Sequence, residues 1–367
     1  MMLTAKDWLE NIRALPLTRR VRIMNVCGGH ERSITMAGLR GALPQNVELI
    51  PGPGCPVCVC PEEDVYHAIQ LALHAGVILV AFGDMLRVPV NVPKTEPRSL
   101  EQAKASGADI RPISSPQEAV RIAKENPGRQ VVFFVAGFET TTAPVAAMLL
   151  EGIPDNLFLL LSCRLTWPAV AMLLDSGKPG FDALIAPGHV ATVMGPEEWT
   201  FVTEQHAIAA AVAGFSPVSL LAAIYSVLRQ LLEDECFLDN CYPEVVRPGG
   251  NPSAQAQLGQ AMRVTNANWR GIGIIPVSGF ALATRFERHD ARKQFEGFEV
   301  EGRKRVGEMP PGCDCARVVL GKIYPNECKL FGTACTPRTP VGPCMVSDEG
   351  ACRIWRASGV KVPSTTS

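Results

Sequence analysis

The chain has 367 residues, with 35 lysine and arginine side chains against 36 aspartate and glutamate, and 47% of it is hydrophobic. That length allows two or three domains with a substantial core, and the balanced charge gives no electrostatic reason to expect nucleic acid or an anionic membrane as partner. Thirteen cysteines follow an N-terminus, MMLTAKDWLENIRALPLTRR, that mixes acidic and basic residues and has no apolar signal-peptide core; together they point to a cytoplasmic protein whose thiols bind metal or do redox chemistry.

Short runs rich in valine, isoleucine and leucine recur at Val21–Val26, Val47–Ile50, Val77–Phe82, Val131–Ala136, Leu157–Leu161, Ala183–Ala186 and Ile208–Ala213. Near-continuous apolar strands belong in parallel sheets covered by helices on both faces. Between them, Pro61–Ala75 has helical spacing in Val65, Ile69, Ala72 and Leu73, and Pro116–Lys124 puts Ala119, Val120 and Ala123 on one side. The fold class is therefore α/β, with two Rossmann-like parallel-sheet lobes. The turn signal Asn126-Pro127-Gly128 predicts lobes over 1–126 and 127–232, a connecting segment over 233–308 and a loop-rich C-terminal domain over 309–367. The stretch Gln205–Leu228 has no charged side chain and approaches a membrane span in length, but Gly214, Ser216 and Pro217 break it into strand, turn and N-capped helix. Pro243–Pro252 reads as a loop, Gly273–Val277 as a strand, and the charged stretch Glu287–Arg305 as a solvated helix and link.

In parallel α/β sheets ligands sit beyond the carboxyl ends of strands, and four such exits here are unusual. Cys27-Gly28-Gly29-His30-Glu31 sets a thiol and an imidazole, a partial ligand set for iron or zinc, around a flexible glycine pair. Gly52-Pro53-Gly54-Cys55-Pro56-Val57-Cys58 carries a C-x-x-C at a strand–helix junction, the pattern of a redox dithiol; with Cys60 and Cys27 it also offers thiolates for a zinc site. Gly137-Phe138-Glu139-Thr140-Thr141-Thr142 puts a carboxylate and hydroxyls at a helix start, where N-capping accounts for one threonine. Pro187-Gly188-His189-Val190 sets a histidine after a strand, as a site residue or as a hydrogen-bonded structural one. The tetrapeptide VAGF occurs at Val135–Phe138 and Val212–Phe215, each ending a strand; within one lobe these ends would face a common crevice. Neither G-x-x-x-x-G-K-[ST] nor G-x-G-x-x-G occurs, so nothing argues for a nucleotide.

Near the C-terminus Cys328, Cys335, Cys344 and Cys352 are singly placed among prolines and glycines. Structural zinc recruits thiolates as close pairs, whereas iron–sulfur clusters accept single cysteines from a wrapping loop, so the spacing favours a 4Fe-4S cluster over zinc or buried thiols. Cys313 and Cys315 lie just upstream, leaving six candidates for four positions.

The exits and the C-terminal cysteines belong to a longer series in fixed order: VCGGHE, GPGCPVC, FGDMLRVP, AKASGADIR, VVFFVAGFETTTAP, IAPGHVATVMG, VVRPGGN, WRGIGIIPVSG and LFGTACTPRTPVGPCMVSDEGAC. This series resembles the HypD family of hydrogenase-maturation proteins over nearly the whole chain. The resemblance implies a scaffold that assembles the Fe(CN)2CO centre of nickel–iron hydrogenases with a small HypC-like partner and a HypE-like cyanide donor. It implies that Cys27 holds iron jointly with a partner cysteine, with His30 close by, and that Cys55 and Cys58 form a thiol relay. It also implies 4Fe-4S ligation by Cys328, Cys335, Cys344 and Cys352, and places Glu139, Thr140, Thr141 and His189 in the remaining motifs. Arg32 stands where the family commonly has a second histidine, Cys60 where a hydroxyl residue is usual, and Val90-Asn91-Val92 where small residues are expected. The alternative function is a freestanding thiol-disulfide oxidoreductase with a cluster electron relay; a zinc-stabilised binding module is a third.

Overall fold

The structure is a computed structural model that describes residues 3–295 and 309–360. Eleven strands are formed among the described residues: β1 (Val21–Cys27), β2 (Val47–Gly54), β3 (Val77–Phe82), β4 (Ile110–Ile113), β5 (Gln130–Gly137), β6 (Leu157–Cys163), β7 (Ala183–Pro187), β8 (Ala209–Ala213), β9 (Leu238–Asn240), β10 (Met262–Trp269) and β11 (Gly273–Leu282). They divide between two units, each assembled from separated stretches of chain. The first comprises Met1–Cys55, Val170–Gly250 and Gly312–Ser367; the second comprises Pro56–Ala169 and Asn251–Pro311.

The first unit holds a parallel five-stranded sheet in the order β2-β1-β7-β8-β9. Its central strands are buried along their length, as near-continuous apolar runs require. Ile23, Ala183, Ile185, Ala209 and Ala211 pack with Ile12, Ile34, Leu220, Ile224 and Val227 into one core. Each isoleucine or leucine removed from water there contributes about 1.5–3 kcal/mol. The second unit holds a parallel sheet in the order β4-β3-β5-β6 and a separate antiparallel pair, β10 with β11.

Both parallel sheets have a topological switch point. In the first, β1 is followed by β2 on one side and has β7 on the other; in the second, β3 is followed by β4 on one side and has β5 on the other. Strand order reverses between β1 and β7 and between β3 and β5, so a crevice opens beyond the carboxyl ends of those pairs.

The expected division at Asn126-Pro127-Gly128 is not where the units part. β3 and β4, from the expected first lobe, pair with β5 and β6, from the expected second, while β7 and β8 join β1 and β2. Asn126 instead ends the Pro116–Glu125 helix within the second unit. The expected connecting segment is split between the units, and the C-terminal stretch from Gly312 is part of the first. The two VAGF sequences end β5 and β8 and lie on different sheets, so they do not face one crevice within a lobe. Within Gln205–Leu228, β8 is followed by the Pro217–Glu233 helix, whose cap Ser216 accepts from the Ser219 N–H at 3.2 Å. Among the described residues no helix is long and apolar enough to cross a membrane. Most of the charged link expected up to Arg305 lies outside the described residues, which stop at Phe295 and resume at Met309.

Candidate metal and thiol site

The crevice of the first unit is built from the exits of β1, β2, β7 and β8. At the end of β1, Cys27 caps the Gly28–Met36 helix. Two glycines let neighbouring groups close over this turn. A Cβ on Gly28 would stand 2.5 Å from the Glu349 carbonyl oxygen, and one on Gly29 would stand 2.5 Å from the Phe215 ring and 3.5 Å from the Cys27 Sγ. Burial pushes the Cys27 thiol up to about 12 and the Glu349 carboxylate adds to the rise, against the backbone N–H groups of His30 and Gly29. Cys27 is therefore a thiol at neutral pH, and a metal that binds it must displace the proton.

His30 is fully buried. Its Nε2 lies 3.0 Å from the Ala213 carbonyl oxygen, which only accepts, so Nε2 carries the hydrogen. Its Nδ1 is buried without a hydrogen-bond partner. Burial lowers the imidazole to about 4, the Ala213 carbonyl opposing and His189 reinforcing the change. The ring is thus neutral, with one committed nitrogen and one free lone pair, which is the state required of a metal ligand. Glu31, beside it, is fully used in structure: it accepts from Trp355 Nε1 at 2.6 Å, Arg40 Nη2 at 2.7 Å and Asn25 Nδ2 at 3.2 Å. Arg32 makes an exposed 3.5 Å ion pair with Asp348, of little energetic weight.

On the other side of the switch point, the β7 exit presents an exposed His189 against Phe215, with ring centroids 4.1 Å apart; His30 lies 4.9 Å from the same ring. The β2 exit is set against β1 by the pairing of Cys27 with Gly54 across a register shift. Gly54 has no room for a side chain, because a Cβ would fall on the Val26 carbonyl and the Cys27 Cα. The residue after it is Cys55, joined to Cys58 in a disulfide. Cys60 belongs to the second unit, where its Sγ lies 3.2 Å from Ser162 Oγ. The four-thiolate zinc set weighed for Cys27, Cys55, Cys58 and Cys60 is therefore not formed, since two of its members are bonded to each other and the fourth faces Ser162.

At the β5 exit, in the second unit, Glu139 is buried and accepts from the Thr166 N–H and Oγ1, both at 2.7 Å. Burial raises it to about 7 despite those bonds. Thr142 Oγ1 donates to the Phe138 carbonyl at 2.9 Å, Thr141 packs on Gly137, and Thr140 is exposed. Glu139 thus ties the exits of two neighbouring strands together.

The C-terminal thiols converge within the first unit. The Sγ atoms of Cys315, Cys344 and Cys352 lie within 4.8 Å of one another, all buried. Cys313 Sγ is 3.3 Å from Cys315 Sγ, and the bare Cα of Gly342 faces both sulfurs. Cys335 Sγ accepts from the Val341 N–H at 3.3 Å, and Cys328 Sγ is 3.9 Å from the Gly312 carbonyl. Hydrogen bonds from Cys315 and Cys344 hold the Cys352 thiol below its ordinary value. Buried soft donors over a glycine cradle fit an iron–sulfur cluster or another thiophilic metal. Of the expected ligands, Cys344 and Cys352 stand in this trio, while Cys328 and Cys335 do not; the third member is Cys315, whose only sequence signal was its C-x-C spacing from Cys313. Phe215 and Glu349, both lying over the glycines of the Cys27 turn, were not singled out from the sequence, although Phe215 ends the second VAGF and Glu349 lies within the C-terminal cysteine series.

The sequence pattern of HypD, described as the hydrogenase formation hypA family, matches residues 3–359. The chain is 40% identical over 341 residues to hydrogenase maturation factor HypD2 of Bradyrhizobium diazoefficiens, covering 90% of this chain and 87% of that protein. It is 39% identical to hydrogenase maturation factor HypD of Escherichia coli, with coverage of 92% and 89%. To a putative hydrogenase expression/formation protein of Methanocaldococcus jannaschii it is 38% identical, covering 92% and 91%. With a match of this extent across both units and the thiol-rich C-terminal stretch, the chain belongs to the HypD family of hydrogenase maturation factors.

Proposed function

We propose that the chain is the cytoplasmic scaffold on which the Fe(CN)2CO centre of a nickel–iron hydrogenase is assembled, together with a HypC-like partner and a HypE-like cyanide donor. The observation that carries this reading is that Cys27 and His30 follow β1 at the switch point, while Cys55, one end of a disulfide, comes directly after Gly54, the residue of the neighbouring strand that pairs with Cys27. Iron is the substrate here. Cys27 supplies a thiolate once its proton is displaced, the second position at the iron being left to a partner cysteine. His30 offers the lone pair of Nδ1 while Ala213 holds its Nε2–H. A soft thiolate with an imidazole suits iron carrying strong-field diatomic ligands.

Cys55 and Cys58 act as the thiol pair: their disulfide takes up two electrons and two protons to give two thiols, and returns them on reoxidation. A 4Fe-4S cluster, when bound, supplies electrons one at a time. Four of the six C-terminal cysteines hold it. Cys328, Cys335, Cys344 and Cys352 are the set implied by the family resemblance, and Cys315 is a further candidate because it stands beside Cys344 and Cys352. Glu139, Thr140 and His189 shape the strand exits in this reading.

The test is to co-express the chain with its HypC-like partner in a host that supplies the other maturation proteins, purify the complex anaerobically and record its infrared spectrum. Cyanide and carbonyl stretching bands are expected in the wild type and absent in Cys27→Ala, with the C-terminal cluster retained. Bands that persist in Cys27→Ala overturn the assignment, and their absence from an iron-loaded wild-type complex favours the freestanding oxidoreductase.

A further inference from the structure

The exit of β8 enters the reading above only through the Ala213 carbonyl. Two residues there act on His30. Ala213 holds its Nε2–H through the backbone carbonyl, and Phe215 lies against its ring with planes tilted by 46°. The turn that carries them is pinned on both sides of the phenylalanine. The Gly214 N–H donates to Ser219 Oγ at 2.7 Å, and Ser216 Oγ accepts from the Ser219 N–H at 3.2 Å. Phe215 is only half-buried and its ring contacts two imidazoles, His30 with centroids 4.9 Å apart and His189 with centroids 4.1 Å apart. Aromatic pairs of this kind contribute about 0.5–1.5 kcal/mol each beyond their area. The ring also occupies the space that a side chain on Gly29 would need, over the same bare Cα that the Cys27 Sγ faces.

We infer that Phe215 is a positioning residue for the Cys27–His30 pair: its ring holds the His30 imidazole with Nδ1 uncommitted and screens the Cys27 thiol from water. The inference rests on the assignment of Cys27 and His30 as the pair that receives iron. It explains why the motif needs glycine at position 29, because the aromatic ring takes the place of a side chain there. A ring held by an anchored turn keeps its geometry before iron arrives, as a preorganised site requires.

The test uses the full chain, purified anaerobically without its partner. The rate at which N-ethylmaleimide modifies Cys27 is followed by peptide mass spectrometry, with the exposed Cys236 as internal reference. Phe215→Ala is expected to raise the Cys27 rate about tenfold, since thiol reactivity follows access, while the Cys236 rate and the iron content of the C-terminal thiols stay constant. Gly29→Ala is expected to give the same rise by pushing the ring aside, and Phe215→Trp to restore the slow rate. An unchanged Cys27 rate in Phe215→Ala overturns the inference; so does a fast rate in Phe215→Trp, or a Cys236 rate that rises in step with that of Cys27. Labelling needs no iron, so its failure is separate from failure of the scaffold reading, which shows as infrared bands that survive in Cys27→Ala.

Discussion

His30 makes a measurable statement about pH. Its ordinary value is 6.5 and its value in the fold is about 4, so between these the unfolded chain binds a proton that the folded chain refuses. Stability must then fall as pH drops from 6.5 towards 4, by up to roughly 3 kcal/mol if the whole shift is realised. Urea unfolding of the metal-free chain between pH 7 and 4.5 should show this slope, and His30→Gln, which keeps a donor for the Ala213 carbonyl, should flatten it. A variant with the wild-type slope would assign the acid sensitivity elsewhere, His67 being the other buried imidazole lowered to about 4. The thiol and imidazole of this pair were legible in the sequence because few packing demands place them together after a strand. Their neighbour Glu31 was misleading: its bonds to Trp355 and Arg40 span distances along the chain that no local pattern encodes. The same holds for Glu139, whose carboxylate reaches Thr166 on the next strand exit.

At the scale of elements, Gly54 is where β2 meets β1 most closely. A Cβ there would fall on backbone atoms of Val26 and Cys27, which cannot swing aside as a side-chain tip would. Gly54→Ala should therefore destabilise by about 1–3 kcal/mol, the usual cost of forcing extra volume into a packed site. The check is a shift of the urea midpoint at constant m-value. The seven apolar runs became β1, β2, β3 and β5 to β8 with small changes at their ends, since burial on both faces leaves a near-continuous apolar signature. β2 runs past Ile50 through Pro51 and Pro53 to Gly54, residues that read as loop. It is an edge strand, where a proline's missing N–H goes unnoticed. β4 contains Pro112 and also lies at an edge, and β9 has three residues; neither carries enough apolar periodicity to be seen. β10 was missed because its exposed positions, Arg263, Val264 and Asn266, interrupt the pattern.

For the whole molecule, the C-terminal thiols decide whether the last stretch is held by metal. Cys315→Ser is expected to lower bound iron and sulfide and to reduce the thermal midpoint of the holo-protein, since metal binding at such a site is also folding free energy. Cys60→Ser, in the second unit, should leave iron and sulfide at the wild-type level. Equal iron content in both variants would remove Cys315 from the ligand set. The α/β class and the C-terminal thiol region were readable from the chain, but its partition into units was not. Turn signals mark where the backbone bends, whereas sheet membership depends on which strands pair after long crossovers. Asn126-Pro127-Gly128 is a true turn that happens to lie inside a unit.

That partition bears on the order of events during synthesis. The first unit needs its opening stretch, Met1–Cys55, and also the segment from Gly312, which brings Glu349 onto Gly28 and Trp355 onto Glu31. Until that segment emerges from the ribosome, the Glu31 carboxylate lacks its indole donor and the Cys27 turn lacks one wall. Closing contacts across some three hundred residues is slow compared with local folding. The nascent chain therefore completes the Cys27 turn only when its last segment, with Glu349, Trp355 and the C-terminal cysteines, has been made.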